Sequence, residues 1–323
     1  MSASSSDKYI ATPQFPIQSG FGSEASAREV LKGRDLRGTN AIVTGGYSGL
    51  GLEITRALTE AGATVVVPAR SAEKARAAVS GIPRVELESL ELTDPVSIDA
   101  FAHKYVSSGR PLHVLIDNAG IMAPPLTRDA RGYESQFSAN HLGHFQLTAR
   151  LWAALKRSGH ARVVSVSSTG IRFGGVDFDD PNFERRPYDK WKAYGQSKTA
   201  NALFAVALDR HGEPDGVRTF AVHPGRIATD LGRHLREDEM AIGGYTTPER
   251  GAATSVWCAT SPQLEGKGGV YCMNVDIALV VPDFSLEGTS QVLTGVLPWA
   301  IDPDLAERLW RLSEKLTGVA FPD

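Results

Sequence analysis

Residues 40–62, NAIVTGGYSGLGLEITRALTEAG, decide the fold of this 323-residue chain. A short apolar run leads directly into a turn with glycines at 45, 49 and 51, and from Leu52 onward a helical segment begins. Glycine adopts a positive φ without strain and lets another group come close to the backbone. Because the first amides of the following helix face the same space, the turn is suited to hold a phosphate group.

The spacing of these glycines leaves other interpretations to weigh. It is Gly-x-x-x-Gly-x-Gly, not the Gly-x-Gly-x-x-Gly of two-domain dehydrogenases. The nucleophile elbow of hydrolases needs Gly-x-Ser-x-Gly, but Leu50 stands two positions after Ser48, so that motif fails by one residue. The place of the turn, between a first strand and a first helix, favours dinucleotide binding over a purely structural role.

Beyond the turn, short apolar runs continue to alternate with segments of helical period. The runs are NAIVT (40–44), ATVVVPA (63–69), RVELES (84–89), LHVLID (112–117), ARVVSVS (161–167) and VRTFAVH (217–223). Every spacer has the dozen or more residues that a crossover between parallel strands needs. The pattern predicts the α/β class, with a single Rossmann-type doubly wound parallel sheet and helices on both faces.

The ends of the chain carry weaker signals. No linker divides the region after the first strand, so we expect one domain over residues 39–323 and an N-terminal arm with a short helix over 1–38. Residues 1–22 are rich in Ser, Pro and Gly, and we expect them to be poorly structured. The short helix lies in SEASAREVLKG, where Ser23 or Ser26 can cap it and Gly33 can end it.

The C-terminal part contains one further predicted helix, over residues 302–317. The pair Asp302-Pro303 is typical of a helix start, and Gly318 is typical of a helix end.

Composition and charge exclude several classes of partner. The net charge is −3 and the isoelectric point is about 6.3, which gives no electrostatic reason to expect nucleic acid or an anionic membrane. No stretch approaches the roughly 20 apolar residues of a membrane helix. The two cysteines, Cys258 and Cys272, have no metal-binding spacing and are expected to be buried thiols, which fits the reducing cytoplasm.

The end of the second run indicates which nucleotide is bound. In dinucleotide folds an acidic residue at this point holds a free ribose 2′-hydroxyl, whereas an arginine accommodates a 2′-phosphate. Arg70 occupies the position, and the first carboxylate after it is Glu73. The sequence therefore favours NADP as the cofactor, with NAD as the alternative.

Six motifs in their order along the chain resemble the short-chain dehydrogenase/reductase family. They are TGGYSGLG (44–51), DNAG (117–120), SANHLGHF (138–145), SVSS (165–168), YGQSK (194–198) and HPG (223–225). The longer matches SANHLGHFQLT and YGQSKTANALF, with the helix before the first strand, resemble the retinol-dehydrogenase-like branch of that family. The resemblance covers about residues 40–275.

The resemblance implies a sheet of about seven strands, a nicotinamide cofactor and a set of site residues. The implied catalytic residues are Asn140, Ser168, Tyr194 and Lys198. The implied cofactor-binding residues are Gly45, Tyr47, Ser48, Gly49, Leu50, Gly51, Arg70, Glu91, Leu92, Asn118, Ala119, Gly120, Tyr194, Lys198, Pro224, Gly225, Ile227 and Thr229. Within that set Asn118 braces the fourth strand, and Glu91 departs from the aspartate usual at its position.

Two tyrosines in PYDKWKAYGQSK have a lysine four positions later, so spacing alone does not identify a catalytic pair. The segment after Tyr194 has an apolar helical face, and a packed helix would hold Tyr194 and Lys198 rigidly. Tyr188 follows a charged run that resembles a mobile surface excursion, so we expect Lys192 to be solvated. The second pair is therefore the catalytic candidate.

The expected chemistry of that pair is proton transfer. A free tyrosine has a pKa near 10, and we expect the Lys198 ammonium and an oxidised nicotinamide to lower the pKa of Tyr194. Ser168 is expected to orient the substrate oxygen, while strand alternation turns Ser167 the other way. His141 and His144 lack a third ligand at suitable spacing, so no metal is expected.

The sequence thus predicts an NADP-dependent alcohol dehydrogenase or ketoreductase that acts on a moderately hydrophobic alcohol or carbonyl compound. Residues 228–300, with Ile171 and Phe173, are expected to form its substrate pocket, and the segment between Ser168 and Tyr194 a partial lid. Alternatives are ene-reduction or epimerisation on the same scaffold, or an NADP-binding sensor without turnover. Helix pairing in the family also makes a homo-oligomer an expectation.

Overall fold

The computed structural model of the protein describes residues 9–235, 237, 244–282 and 294–321. Strands and helices alternate along these residues, and all six apolar runs form strands. In chain order the strands are β1 (Asn40–Val43), β2 (Thr64–Ala69), β3 (Val85–Ser89), β4 (Val114–Asp117), β5 (Ala161–Val166), β6 (Val217–His223), β7 (Arg226–Ile227), β8 (Tyr245–Thr246), β9 (Val270–Met273) and β10 (Asp276–Ile277).

Eight of these strands form one sheet with the order β3-β2-β1-β4-β5-β6-β9-β10, and β7 pairs with β8 alone. The chain winds outward from β1 in one direction and then, from β4, in the other. The connections that follow β1 and β4 therefore run in opposite directions and leave a crevice between them at the carboxyl ends of these two strands. Ligands bind at this place in open α/β sheets.

The predicted α/β class, with a doubly wound sheet covered on both faces, is confirmed, but the sheet is mixed. Seven of its strands are parallel, whereas β10 runs antiparallel to β9. Only Asn274 and Val275 separate these two strands, and both have a positive φ, of 51° and 60°. A connection of two residues can form only an antiparallel hairpin. A two-residue strand is too short to show as an apolar run.

The helices are α1 (Ala27–Val30), α2 (Gly49–Glu60), α3 (Ala72–Ala78), α4 (Pro95–Ser107), α5 (Ser135–Phe137), α6 (Gly143–Arg150), α7 (Trp152–Ser158), α8 (Lys190–Gly212), α9 (Pro248–Thr260) and α10 (Pro303–Thr317). A π-helical turn, Ser138–Leu142, joins α5 to α6. Short 3-10 helices cover Thr169–Phe173, Glu213–Asp215, Asp230–Gly232, Pro262–Leu264 and Pro298–Ala300.

Alternating strand side chains build a core on each face of the sheet. Ala41 and Val43 of β1 pack with α2 and α9, whereas Ile42 between them packs with α4, α6 and α8. This is the expected result for a central parallel strand, whose side chains are buried on both faces. The long helix α8 lies on the same face of the sheet as α4 and α6, and its Leu203 and Phe204 pack in the core of that face.

Polar side chains set the beginnings of several helices. Ser26 caps α1 in a reciprocal capping box with Glu29, so of the two predicted cap residues it is Ser26 that acts. This helix ends at Val30, before Gly33. Asp302 caps α10, and Gly318 ends it with a φ of 68°, as the sequence pattern of that segment indicated.

The expectation of a poorly structured N-terminal arm is wrong for residues 9–22. The hydroxyl of Tyr9 donates to the carboxylate of Asp209 at 2.9 Å. The Gln14 side chain donates to the carbonyl oxygens of Tyr271 and Ala278 at 2.8 and 2.7 Å, and accepts from the Tyr271 amide at 2.8 Å. The arm therefore lies extended along the outer strands β9 and β10. Composition could not predict this, because the partners are more than 190 residues away.

Candidate functional site

A cavity of about 520 Å³ opens at the carboxyl ends of the central strands. Its wall contains all the predicted cofactor-binding residues and three of the four predicted catalytic residues. These are Gly45, Tyr47, Ser48, Gly49, Leu50, Gly51, Arg70, Glu91, Leu92, Asn118, Ala119, Gly120, Ser168, Tyr194, Lys198, Pro224, Gly225, Ile227 and Thr229. The fourth catalytic candidate, Asn140, lies behind the wall.

The glycine turn after β1 leaves no room for a side chain at Gly51. A Cβ on Gly51 would lie 2.3 Å from the carbonyl oxygen of Gly45 and 2.6 Å from the amide nitrogen of the Asn118 side chain. Gly45 and Gly49 have positive φ values of 66° and 48°. The turn leads into the N-terminus of α2, and its residues border the cavity. This arrangement fits a pyrophosphate group.

Two residues brace this turn against the neighbouring strand. The side-chain amide of Asn118, after β4, donates to the carbonyl oxygen of Thr44 at 2.8 Å, as the predicted bracing role requires. The Thr44 hydroxyl accepts from the backbone amides of Asn118 and Ala119, each at 2.9 Å. Thr44 was not predicted as a site residue. A hydroxyl at the last position before the turn was the only local signal for it.

The strand ends beyond β1 supply charged groups to the cavity. Arg70 follows β2 and Glu91 follows β3, and their side chains form an ion pair with 3.5 Å between Arg70 Nη1 and Glu91 Oε2. Thr93 donates to Glu91 Oε1 from its backbone amide at 3.1 Å and from its hydroxyl at 2.9 Å. Arg70 is 76% exposed, so its guanidinium is accessible to a ligand.

Helix α8 carries the Tyr194–Lys198 pair, and both side chains are buried. The tyrosine ring packs under the turn after β5, because a Cβ on Gly170 would lie 2.7 Å from Tyr194 Cε1. Lys198 Nζ donates to the carbonyl oxygen of Val166 at 3.0 Å and lies 5.8 Å from the centre of the Tyr194 ring. The helix therefore fixes both groups at the same end of β5.

The acidity of Tyr194 reflects its burial. Burial raises the pKa of Tyr194 to about 12, and a hydrogen bond with the Ser168 side chain opposes that rise. Burial also lowers the pKa of Lys198 to about 8. In the protein alone, desolvation therefore outweighs the effect of the ammonium, and the lowering of the tyrosine pKa that we expect with an oxidised nicotinamide bound stays a prediction. At neutral pH the phenol is protonated.

Ser167 and Ser168 make different contacts, in agreement with the strand alternation that points them in opposite directions. The hydroxyl of Ser167 donates to the backbone carbonyl oxygen of Lys198 at 2.7 Å and so ties β5 to α8. The side chain of Ser168 accepts from the Gly170 amide at 3.0 Å and lies beside the Tyr194 hydroxyl. Ser168 is thus the serine that can orient a reacting oxygen.

Asn140 lies in the π-helical turn and is fully buried. Its side chain accepts from the Ile121 amide at 2.8 Å and donates to the Ile121 carbonyl oxygen at 3.0 Å and to Ser197 Oγ at 2.9 Å. Ile121 borders the cavity and Ser197 precedes Lys198. Asn140 therefore joins the cavity wall to α8, and the π-turn gives its side chain the required direction.

The pair Tyr188 and Lys192 does not border the cavity. We expected Tyr188 to lie in a mobile surface segment, but its side chain is anchored by hydrogen bonds. The Tyr188 hydroxyl donates to the carbonyl oxygen of Pro124 and accepts from the Gln136 side chain, both at 3.1 Å. Lys192 is exposed. The segment before Tyr188 is also anchored, because the carboxylate of Asp180 accepts from three backbone amides of residues 184–186. The segment between Ser168 and Tyr194, which we expected to form a partial lid, is therefore held by internal hydrogen bonds.

The predicted substrate pocket is only partly described. Thr229 and Leu231 border the cavity, whereas residues 236, 238–243 and 283–293 lie outside the described part of the chain. Ile171 is fully buried in a core cluster, and Phe173 packs on Trp191 with 5.2 Å between ring centres. Neither of these predicted residues borders the cavity.

The two histidines of the central region are core residues. His144 Nδ1 donates to the carbonyl oxygen of Asn140 at 3.0 Å, and its Nε2 lies 2.9 Å from the Thr44 hydroxyl. His141 Nε2 lies 2.7 Å from the Ser313 hydroxyl. Burial lowers the pKa of His141 to about 3 and that of His144 to about 4. Within the described ranges, no cluster of three potential metal ligands occurs.

Comparisons with known proteins agree with this geometry. A family model described as short chain dehydrogenase matches residues 39–240. A relative from Streptomyces lividans named "Probable oxidoreductase" is 44% identical over 85% of this chain and 96% of its own length. Retinol dehydrogenase 12 of Homo sapiens is 36% identical over 88% of each chain. The crystal structure of an uncharacterized protein from Mycobacterium Paratuberculosis has a TM-score of 0.72 and 33% identity, over 93% of this chain and 99% of that one.

A doubly wound sheet with a glycine turn at its crevice and a buried Tyr–Lys pair on the covering helix is the arrangement of a Rossmann-type oxidoreductase. The chain belongs to the short-chain dehydrogenase/reductase family, in its retinol-dehydrogenase-like branch. Across the described residues, no helix combines the length and apolar character needed to cross a membrane.

Proposed function

We propose that the protein is an NADP-dependent oxidoreductase that transfers hydride between nicotinamide and a moderately hydrophobic alcohol or carbonyl compound. The convergence of Ser168, Tyr194 and Lys198 on the cavity that the glycine turn also borders carries this proposal. The glycine turn fits the pyrophosphate, and Arg70 at the end of β2 suits a ribose 2′-phosphate. When bound, the nicotinamide supplies or accepts the hydride.

Tyr194 is the proposed general acid and base. Because burial keeps its phenol protonated at neutral pH, its hydroxyl is ready to donate a proton to the oxygen of a carbonyl substrate. Ser168, hydrogen bonded to the same hydroxyl, positions that oxygen. Donation of the proton leaves a phenolate, which the nearby Lys198 ammonium stabilises.

The remaining groups hold this arrangement in place. Asn140 fixes Ile121 and Ser197 through three hydrogen bonds, and Ser167 fixes the backbone of Lys198. A side chain that carries a proton must stay within hydrogen-bond reach of its target, so these contacts serve catalysis through geometry. Asn140 is accordingly proposed to act from behind the wall of the site, in line with the catalytic role that the family resemblance implies.

The substrate class rests on the described part of the wall and on one relative. Ile121, Ile227 and Leu231 present apolar surface to the cavity. Retinol dehydrogenase 12 is named for an apolar alcohol. Both observations support a moderately hydrophobic substrate, and neither supports retinol in particular. A cytoplasmic location and a homo-oligomer also remain predictions.

Turnover with NADPH that carries deuterium at the transferred position tests the proposal directly. A panel of aldehydes, ketones and enones would be incubated with the protein, and the products analysed by mass spectrometry. We expect deuterium on the carbinol carbon of a reduced aldehyde or ketone. Deuterium on the β-carbon of an enone would instead identify ene-reduction. Binding of NADPH without turnover of any compound would indicate a sensor and refute the proposed activity.

A further inference from the structure

Glu91 and Arg70 face each other across the nucleotide half of the cavity. Both follow parallel strands that are neighbours in the sheet, β3 and β2, and both border the cavity. Their charged atoms are 3.5 Å apart, between Nη1 of the arginine and Oε2 of the carboxylate. The arginine that suits a 2′-phosphate thus already has an anionic neighbour within the protein.

The carboxylate of Glu91 is held in this position. Its Oε1 accepts two hydrogen bonds from Thr93, and the backbone amide of Glu91 donates to Ser97 Oγ at 2.9 Å. Moving the carboxylate away from Arg70 would break the two bonds to Thr93. An aspartate is shorter by one methylene group, so an aspartate that kept the bonds to Thr93 would hold its carboxylate farther from the guanidinium.

We propose that Glu91 is a specificity-determining residue that weakens recognition of the ribose 2′-phosphate by Arg70. The inference rests on the proposed function, since it concerns how the same site distinguishes NADP from NAD. A 2′-phosphate carries a charge of about −1.5 to −2 and competes with Glu91 for one guanidinium. The preference for NADP is consequently smaller than Arg70 alone would give.

The size of the effect follows from exposure. Arg70 is 76% exposed and Glu91 is 32% exposed, so water and salt screen the repulsion between carboxylate and phosphate. We expect Glu91 to lower the preference for a nucleotide with a 2′-phosphate about three- to fivefold at low ionic strength, the range typical of an exposed charge pair. The penalty should shrink toward unity at about 1 M salt, where the screening length is roughly 3 Å.

Calorimetric titration with 2′,5′-ADP and 5′-AMP measures this effect without turnover. The ratio of their dissociation constants reports the contribution of the 2′-phosphate. In Glu91→Gln we expect the ratio to shift about three- to fivefold in favour of 2′,5′-ADP at low salt, and in Glu91→Asp to shift in the same direction by less. Glu88→Gln is the matched control, because Glu88 lies on β3 three residues before Glu91, is 29% exposed and pairs with Lys104 away from the cavity.

Three outcomes would count against the proposal. An unchanged ratio in Glu91→Gln would show that the carboxylate has no influence, and a shift toward 5′-AMP would show that it orients Arg70 for the phosphate instead. An equal shift in Glu88→Gln would show that the effect comes from the net charge of the protein and not from the position of Glu91. In these three cases both nucleotides still bind, so the proposed function survives. Failure of the parent protein to bind either nucleotide would overturn the proposed function together with this inference.

Discussion

Lys198 donates a hydrogen bond from its Nζ to the backbone carbonyl oxygen of Val166, at 3.0 Å. This bond joins the middle of α8 to the last residue of β5, directly beside the catalytic candidates. One of the three ammonium protons is used in this bond, and the other two can point into the cavity. The lysine therefore both fixes the helix and presents a positive charge to the site.

The two tyrosines of the PYDKWKAYGQSK segment should respond oppositely to loss of their hydroxyls. We expect Tyr194→Phe to lower kcat by about 10²- to 10⁴-fold, the usual range for loss of a general acid, with nucleotide binding retained. Tyr188→Phe loses hydrogen bonds to Pro124 and Gln136, so we expect it to lose about 1–3 kcal/mol of stability and keep its kcat. Steady-state kinetics and thermal unfolding separate the two effects. Normal turnover in Tyr194→Phe would refute its assignment.

The buried ammonium of Lys198 should make stability depend on pH above neutrality. Burial lowers the pKa of Lys198 from an ordinary value of 10.5 to about 8, so in that window the unfolded chain binds a proton that the native protein lacks. The contribution of Lys198 to the free energy of unfolding should therefore rise with pH from about 8 to about 10.5, by up to about 1.4 kcal/mol per pH unit. Below pH 8 the contribution is constant.

Denaturant titrations of the parent and of Lys198→Met across this pH range would measure that slope. The slope of Lys198→Met should be lower than that of the parent by this amount, whereas Lys192→Met, which removes the exposed lysine of the other pair, should keep the slope of the parent. Parallel curves for the parent and Lys198→Met would mean that the Lys198 pKa is not lowered.

Gly51 should not tolerate even a methyl group. Its Cβ would lie 2.3 Å from the carbonyl oxygen of Gly45, a backbone atom that can move only if the turn opens. We expect Gly51→Ala to lose about 1–3 kcal/mol of stability and to bind nucleotide at least tenfold more weakly. Gly22→Ala is the control, since nothing lies within 4 Å of its Cβ. Fluorescence titration with NADPH is the readout, and unimpaired binding by Gly51→Ala would contradict the proposed phosphate site.

Features that depend on residues close together in the sequence could be predicted, whereas features that depend on distant partners could not. The glycine turn and the Tyr194–Lys198 helix are local patterns, so the fold class and the centre of the site could be predicted. The bracing hydroxyl of Thr44 and the Arg70–Glu91 pair require strand order and side-chain reach, which no spacing encodes. The rise in the pKa of Tyr194 on burial was missed for a similar reason, because burial depends on the whole fold and opposes the charge effect.

The N-terminal arm should contribute measurably to stability through Gln14. Its side chain makes three hydrogen bonds to the backbone of Tyr271 and Ala278, and Gln14→Ala leaves those backbone groups without their partner. We expect a loss of about 1–3 kcal/mol and a lower Tm. Phe15→Ala should be nearly neutral, because Phe15 is 63% exposed. If Gln14→Ala unfolds at the Tm of the parent, the arm does not stabilise the sheet edge.

Arg70 should carry the preference for NADP. Removing its charge with Arg70→Gln deletes the group that can bind the 2′-phosphate, and a charge-assisted hydrogen bond of this kind contributes about 1.5–3 kcal/mol. We therefore expect the affinity for NADPH to fall about tenfold or more while that for NADH stays within about twofold. Arg70→Asp should go further and favour NADH, because an acidic residue at this position suits a free 2′-hydroxyl. Arg76→Gln, which removes an exposed arginine on the neighbouring helix α3, controls for net charge. Equal affinities of the parent for NADPH and NADH, or an equal loss of both in Arg70→Gln, would show that Arg70 does not select the cofactor.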